Sequence, residues 1–139
     1  MKKNAFTLLE ILVVISIIGI LVTLGTAAFS TAQKKGRDAR RKADIKAMQN
    51  GFEQFYSREG AYPTDQGEAG DVIIFPAGLP EDPKNTSPYI YSINLTSSAD
   101  SYCVCALLES SVGNSSDLPV GVTECTYGTG DYYCLSNLQ

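Results

Sequence analysis

The order of apolar and polar positions divides the chain into a long apolar run near the amino terminus and a more polar remainder. Ile, Leu and Val dominate the run, and residues 11–33 contain no charged side chain. At about 1.5 Å per residue these positions would extend roughly 35 Å as a helix, which exceeds the roughly 30 Å of a bilayer core. The pattern predicts a helix that is compatible with lipid over residues 6–33.

Helical periodicity continues beyond the apolar run. Spacings of three, four and seven residues place apolar side chains on one helix face. The side chains at these positions are Ile45, Met48, Phe52, Phe55 and Tyr56. Gly60 and Pro63 then supply the glycine and the proline that commonly follow a helix. We therefore predict one helix from residue 6 to about residue 58, in which residues 34–60 form an amphipathic continuation.

The remaining residues, 61–139, are predicted to form a globular head. Residues 62–85 contain four of the six prolines and are predicted to be a connecting loop. The best strand candidates are rich in aromatic and β-branched residues and lie at residues 89–95, 101–109 and 131–135. The predicted fold class is α+β: a long amino-terminal helix, transmembrane in its first half and amphipathic in its second, packs on a small antiparallel sheet.

Charge is distributed unevenly between the two parts of the chain. Residues 1–46 hold nine basic and three acidic side chains, whereas residues 47–139 hold two basic and twelve acidic ones. A literal positive-inside rule would place the head in the cytoplasm, because seven of the bases lie in residues 34–46. We predict that the head lies outside, because Asp38 and Asp44 interrupt these bases and because four cysteines suit an oxidising compartment.

The basic segment at residues 34–46 could in principle bind nucleic acid or anionic lipid. Its charges are distributed around the predicted helix, which favours a solvated collar near lipid headgroups or a set of intersubunit salt bridges. Nucleic-acid binding is disfavoured, because the segment contains no aromatic residue on which a base could stack.

The four cysteines, Cys103, Cys105, Cys125 and Cys134, are predicted to be disulfide staples of the head. Four cysteines allow three pairings, and the sequence does not choose among them. Cys103 and Cys105 lie two positions apart on one predicted strand, so each is expected to bond to one of the other two. A four-thiolate zinc site is the alternative, but the usual Cys-x-x-Cys spacing is absent.

Glu10 is a carboxylate inside the apolar run, where an ionised group near hydrocarbon costs about 2.5 to 3.5 kcal/mol. One interpretation places it at the headgroup level, as an acid in the first helical turn near the positive end of the helix dipole. The other is that Glu10 pairs with a cation from another chain, because acids in membrane helices normally have a partner of opposite charge.

The residues around Glu10 are similar to a known signal. The segment Lys-Lys-Asn-Ala-Phe-Thr-Leu-Leu-Glu at residues 2–10, followed by the apolar helix, resembles the class III signal of type IV prepilins and of type II secretion pseudopilins. The resemblance implies that a prepilin peptidase cuts between Ala5 and Phe6 and that the new Phe6 amine is N-methylated. It also implies that Glu10 pairs with that amine on a neighbouring subunit. Ala5 stands where the family usually has Gly.

An ordinary secretory signal is the nearest alternative to this resemblance. Such a signal has an apolar region of about 7 to 15 residues. The run in this chain is longer and carries Glu10, which favours the prepilin interpretation and makes residues 1–5 the predicted leader.

The resemblance implies a structural subunit of a type IV pilus-like filament. Such a chain is a homo-oligomer that inserts into the cytoplasmic (inner) membrane with its head outside. A pilus assembly platform then extracts it into a surface pilus, and minor pilins are further candidate partners. The first alternative is a pseudopilin of a type II secretion system, which would assemble into a periplasmic pseudopilus. The second is a monomeric single-pass membrane protein whose head binds a ligand.

Neither catalysis nor a cofactor is predicted. The chain contains no histidine, which removes the Ser-His and Cys-His pairs of nucleophilic enzymes, and no glycine-rich phosphate loop follows a predicted strand. The acids Asp65, Glu68 and Asp71, or Asp117 and Asp131, offer the oxygen ligands that calcium prefers. Their spacing matches no calcium loop, so we interpret them as solvated loop acids and predict no metal.

Overall fold

The computed structural model describes residues 7–116 and 125–139. Contacts divide the chain into two compact units, Met1–Lys34 and Lys35–Gln139. The elements in chain order are α1 (Leu8–Glu59), α2 (Gln66–Ala69), β1 (Ser92–Leu95), β2 (Tyr102–Leu107) and β3 (Tyr132–Ser136). A long amino-terminal helix followed by a three-stranded antiparallel sheet confirms the predicted α+β class.

In the first unit, α1 presents its large aliphatic side chains to the surroundings. The helix is long and apolar enough to cross a membrane, with a mean hydropathy of 2.7 in its most apolar window. The hydroxyls of Ser16 and Thr23 donate to the carbonyls of Leu12 and Ile20 at 2.8 Å. Polar groups of this segment are thus satisfied inside the helix, which is what a lipid environment requires.

A glycine cap ends α1, as the sequence predicts. Gly60 has a φ of 76° and donates its N–H to the carbonyl of Tyr56 at 2.8 Å. This left-handed cap satisfies a carbonyl of the last helical turn. The chain then leaves the helix direction and enters the segment that precedes the sheet.

The predicted apolar stripe forms the core of the second unit. Ile45, Met48 and Phe52 are buried against Tyr102 and Val104 of β2. The rings of Phe52 and Tyr102 meet edge to face, with centroids 5.0 Å apart. Burial of such side chains contributes about 1.5 to 3 kcal/mol each, so the stripe anchors the sheet to the helix.

The sheet has β2 in the centre and β1 and β3 antiparallel on either side. Successive residues of β2 face opposite sides, as in any strand. Tyr102, Val104 and Ala106 belong to the core beside α1, whereas Cys103 and Cys105 belong to a second cluster with Cys134. The disulfides therefore lie on the face of the sheet that α1 does not cover.

The outer edge of β3 is covered by residues 113–116. Ser115 and Tyr132 exchange two backbone hydrogen bonds, each 3.0 Å long. The side-chain amide of Asn114 accepts from the Cys134 N–H at 2.7 Å and donates to the Cys134 carbonyl at 2.8 Å. A side chain thus occupies the position that the backbone of a fourth strand would take.

One element differs from the prediction. Residues 66–69, within the predicted loop at 62–85, form the short helix α2. Asp65 caps it by accepting from the backbone N–H of Glu68 at 2.9 Å. Asp is a preferred residue at that position, but a single helical turn has too few residues to show apolar periodicity.

Candidate assembly site

Glu10 lies in the first turn of α1 and bonds to Thr7. The N–H and the hydroxyl of Thr7 both donate to Oε2 of Glu10 at 2.8 Å, and the N–H of Glu10 donates back to the Thr7 hydroxyl at 3.3 Å. This reciprocal arrangement is a capping box. Our sequence interpretation missed the role of Thr7, although a Thr followed three positions later by Glu is the signature of this motif.

The two oxygens of the Glu10 carboxylate are used differently. Both Thr7 bonds end on Oε2, and no donor in the part of the chain that the structure describes contacts Oε1. The capping box therefore fixes the orientation of the carboxylate while leaving one acceptor oxygen available. Ala5 and Phe6, the predicted cleavage and methylation sites, lie outside the described residues.

The basic segment at residues 34–46 is not solvated throughout, which corrects the prediction of a simple collar. Arg41 and Asp38 are both 0% exposed. Arg41 donates through Nε and Nη2 to Asp82 at 2.6 and 3.1 Å. Its Nη1 donates to Asp38 at 3.0 Å and to Glu109 at 2.9 Å. A guanidinium that is surrounded by three carboxylates is the centre of a buried ion cluster.

Asp38 is also the acceptor for a loop of the head. The backbone N–H groups of Glu109, Ser110 and Ser111 donate to it at 2.7, 2.8 and 2.9 Å. Burial opposes ionisation of Asp38, but these N–H bonds outweigh it and keep the pKa of the carboxyl below its ordinary value. Hydrogen bonds to a charged group favour that charged form, so Asp38 is held as a carboxylate.

Glu109 closes the cluster on its solvent side. Arg37 binds both of its oxygens, at 2.6 and 2.8 Å, and Lys84 lies 2.9 Å from Oε2. The bond from Arg37 is the main reason why the pKa of Glu109 lies far below its ordinary value; burial opposes the shift, while Lys84 and Arg41 reinforce it. The ion cluster therefore joins α1 to two segments of the head through charged hydrogen bonds.

The sequence contained a signal for part of this cluster. Asp38 and Arg41 precede Ile45 by seven and four residues, so they extend the buried helix face toward the amino terminus. Charged residues at such positions need partners when the face is covered. Asp82 and Glu109 lie on segments distant in the sequence, and no local pattern marks them.

The acids considered for calcium have separate local roles. Asp65 caps α2, and Glu68 accepts from the N–H and the hydroxyl of Thr64 at 2.8 and 2.9 Å. Asp71 pairs with Arg58 and accepts from the N–H of Ile73 at 2.7 Å. Asp117 lies outside the described residues. Each of the three acids that are close in sequence therefore has its own partners within the protein.

The cysteines are paired as Cys103 with Cys125 and Cys105 with Cys134. Sulfur atoms of Cys103, Cys105 and Cys125 lie within 4.8 Å of one another, a spacing that also suits a metal. All three sulfurs are consumed by disulfides, whereas metals bind the thiolate form. The arrangement in this structure is thus a pair of staples and not a thiolate site.

The amino-terminal segment of the chain is similar to a known family of motifs. Residues 1–26 match the family model described as the prokaryotic N-terminal methylation motif. The chain therefore carries this methylation motif at its amino terminus. The match and the relatives described next together confirm the predicted resemblance to prepilins and pseudopilins.

Curated relatives extend the similarity into the second unit. Type II secretion system core protein G of Aeromonas hydrophila is 30% identical over 80 residues, which are 58% of this chain and 56% of that protein. The protein of the same name from Pseudomonas aeruginosa is 32% identical over 84 residues, 60% of this chain and 58% of that protein.

A pilin is also among the relatives. Type IV major pilin protein PilA of Myxococcus xanthus is 29% identical over 69 residues, 50% of this chain and 31% of that protein. The chain spans a little more than half the length of the two secretion relatives. No solved structure matches the chain significantly.

Proposed function

We propose that this chain is a structural subunit of a type IV pilus-like filament, not an enzyme, and that it assembles through the amino-terminal part of α1. The methylation motif at residues 1–26 and the similarity to a major pilin support this proposal. The apolar surface of the first unit supports it independently, because large aliphatic side chains that leave lipid need other apolar side chains as a new environment.

The observation that carries the proposal is the position of Glu10. It is an acid within an apolar helix, its orientation is fixed by Thr7, and its Oε1 has no donor among residues 7–116 and 125–139. The cationic partner would be the Phe6 amine of the neighbouring subunit. In the low-dielectric interior of a filament, an unpaired carboxylate costs far more than a paired one, so this pairing would select the correct register between helices.

Processing and location follow from the same proposal. A prepilin peptidase would cut between Ala5 and Phe6, and Phe6 would then be N-methylated. The subunit would reside in the cytoplasmic membrane with its head outside until the assembly platform extracts it. The two disulfides support this orientation, because they persist in oxidising compartments.

A pseudopilin is the second candidate function. Its support is the similarity to type II secretion system core protein G, at 30% and 32% identity. A pseudopilin would form a short periplasmic fibre, whereas a pilin would form long fibres on the cell surface. Electron microscopy of cells that express the tagged chain distinguishes the two by the length and location of the fibres.

Intact-mass measurement of membrane-extracted protein tests the proposal most directly. The expected product lacks residues 1–5 and carries one additional methyl group. A monomeric membrane protein with a ligand-binding head predicts an uncut chain that stays monomeric. That pair of results would rule out both filament functions together.

A further inference from the structure

Once the ion cluster is set aside, α1 retains a basic face made by Lys35, Lys42 and Lys46. Intervals of seven and four residues place these side chains on one side of the helix. The side-chain ammonium of Lys35 makes no hydrogen bond or ion pair within the described ranges. Lys42 lies over the ring of Tyr133, with its ammonium 5.5 Å from the ring centroid. In the described part of the chain, none of the three ammonium groups lies within ion-pair distance of a carboxylate.

The second relevant surface is the acidic end of the same unit, which we define as Glu59, Glu68, Asp71 and Asp100. Glu59, Glu68 and Asp71 line one depression, and Arg58 is the only cation among the described residues that line it. Asp100 lines a second depression that shares Ala61, Tyr62 and Ala99 with the first. The two depressions therefore adjoin, and four carboxylates surround them.

The charges of the acidic end are only partly neutralised. Arg58 is engaged by both Glu59 and Asp71, while the partners of Glu68 are the uncharged groups of Thr64. Val72 lies in the lining of the depression and is 75% exposed. An apolar surface beside carboxylates suits lysine, whose aliphatic stem packs on apolar groups while its ammonium meets an acid.

The two surfaces lie at opposite ends of the second unit. Strand β2 connects these ends: the Tyr102 hydroxyl donates to Glu53 at 3.0 Å, and the Glu109 N–H, just beyond the other end of the strand, donates to Asp38 at 2.7 Å. Lys46 is the member of the basic face nearest to Glu59, yet thirteen residues of helix place them about 20 Å apart along the axis. One molecule cannot bring its own basic face and acidic end together.

We propose that the basic face of one copy binds the acidic end of a second copy. This contact presupposes the proposed function and defines which parts of neighbouring second units meet in the filament. Because the two surfaces differ, each added copy leaves one unoccupied surface of each kind. Contacts of this heterologous type produce open-ended assemblies when the rotation between copies does not close a ring.

The role of the contact is to select orientation. Exposed ion pairs are individually weak, and complementary charge patterns mainly determine how surfaces approach and which orientation is rejected. Packing of the apolar segment would hold the filament together, while the basic face and the acidic end would exclude a reversed arrangement in which like charges meet.

Zero-length carbodiimide cross-linking of the full-length chain tests this contact. Equal amounts of ¹⁴N- and ¹⁵N-labelled protein are assembled together, cross-linked and digested, and mass spectrometry identifies lysine–carboxylate links that contain both isotopes. Mixed links from Lys35 or Lys46 to Glu59, Glu68 or Asp100 are expected. Fibres whose mixed links avoid these residues would overturn the contact and leave the proposed function standing. Absence of both fibres and mixed links would overturn both.

Charge reversal provides the matched comparison. The double variant Lys35→Glu, Lys46→Glu keeps Lys42 as the one lysine of the basic face that can still be cross-linked. The yield of mixed links from Lys42 should fall about tenfold in this variant. Adding Glu59→Lys and Glu68→Lys to the same chain should restore the yield of mixed links between the two surfaces, because the charges are then exchanged between them. A low link yield without rescue, in a chain that keeps both disulfides and its circular dichroism spectrum, would contradict the pairing.

Arg40→Glu is the control for net charge. Arg40 is 67% exposed in its side chain and lies on a different side of α1 from the basic face. Its reversal should leave the mixed links within twofold of the wild-type yield. An equal loss with Arg40→Glu would show that total charge, and not this surface, governs association.

Discussion

Arg41 and Asp82 are joined by two hydrogen bonds, 2.6 and 3.1 Å long, across 41 positions of sequence. Both side chains are almost completely buried. The pair therefore connects the helix with the segment before the sheet at a point that is closed to solvent. Removal of a single partner from such a pair leaves an uncompensated charge.

The first prediction concerns this arginine. Arg41→Met should destabilise the folded second unit by about 3 to 5 kcal/mol, because three carboxylates lose their central cation. Arg40→Met, one position away and exposed, should change stability by less than about 0.5 kcal/mol. Denaturant titrations of the two variants in detergent, with unfolding monitored by circular dichroism, measure the difference. Equal midpoints for the two variants would contradict a structural role for the cluster.

The second prediction separates the two roles of Glu10. Glu10→Gln keeps an oxygen that can accept from Thr7 but removes the charge, so the protein should insert into membranes and fail to form filaments. Thr7→Ala keeps the charge and removes the cap hydroxyl, at a cost of about 0.5 to 2 kcal/mol in the first turn. Filaments should form in reduced amount. Membrane fractionation and the yield of sheared fibres provide the two measurements, and wild-type fibre levels from Glu10→Gln would exclude the charge-pairing mechanism.

The third prediction is the pH dependence of stability. The pKa values of Asp38, Asp82 and Glu109 are lowered in the folded chain, so protons bind the unfolded state first as the pH falls. The stabilisation is complete above the ordinary carboxyl values near 4 and decreases as the pH drops through and below them. The free energy of unfolding should therefore be nearly constant between about pH 5 and 7 and fall below about pH 4.

Unfolding curves recorded at constant ionic strength check this dependence. Asp82→Asn should reduce the slope in the acidic range, because one lowered pKa is removed. A marked fall in stability between pH 7 and pH 5 would have to come from another source, and the chain contains no histidine to supply it.

The fourth prediction concerns the order of disulfide reduction. Cys105 and Cys134 are fully buried, whereas Cys125 is half-buried. A soluble thiol should therefore reduce the Cys103–Cys125 bond first, since exchange requires access to a sulfur atom. Timed alkylation followed by peptide mapping gives the order. Faster reduction of Cys105–Cys134 would show that the buried face of the sheet opens to the thiol more readily than the surroundings of the half-buried Cys125.

Much of the fold was accessible from the sequence because its signals are local. The stripe from Ile45 to Tyr56 and the strand composition of residues 101–109 each depend on a few neighbouring residues, and both predicted elements formed, as α1 and β2. The sequence left the disulfide pairing open, since the choice depends on register: Cys105 lies opposite Cys134 across β2 and β3. Tertiary register is not a local property.

The candidate site was accessible only in part, for the same reason. Glu10 stands out because it is a charge in an apolar run. The ion cluster does not, because Arg41 meets Asp82 and Glu109 from segments 41 and 68 positions away. Composition marks residues 34–46 as basic, but only the packed head determines which of these bases is enclosed.

The Asn114 amide at the edge of β3 limits pairing between the strand edges of neighbouring molecules. Subunits at high local density in a membrane or a fibre hold many strand edges close together, and bare edges recruit one another into cross-β aggregates. The Asn114 amide supplies both a donor and an acceptor to Cys134, and the backbone of Ser115 does the same for Tyr132. Together they leave fewer backbone groups on this side of the sheet to act as a template for amyloid growth.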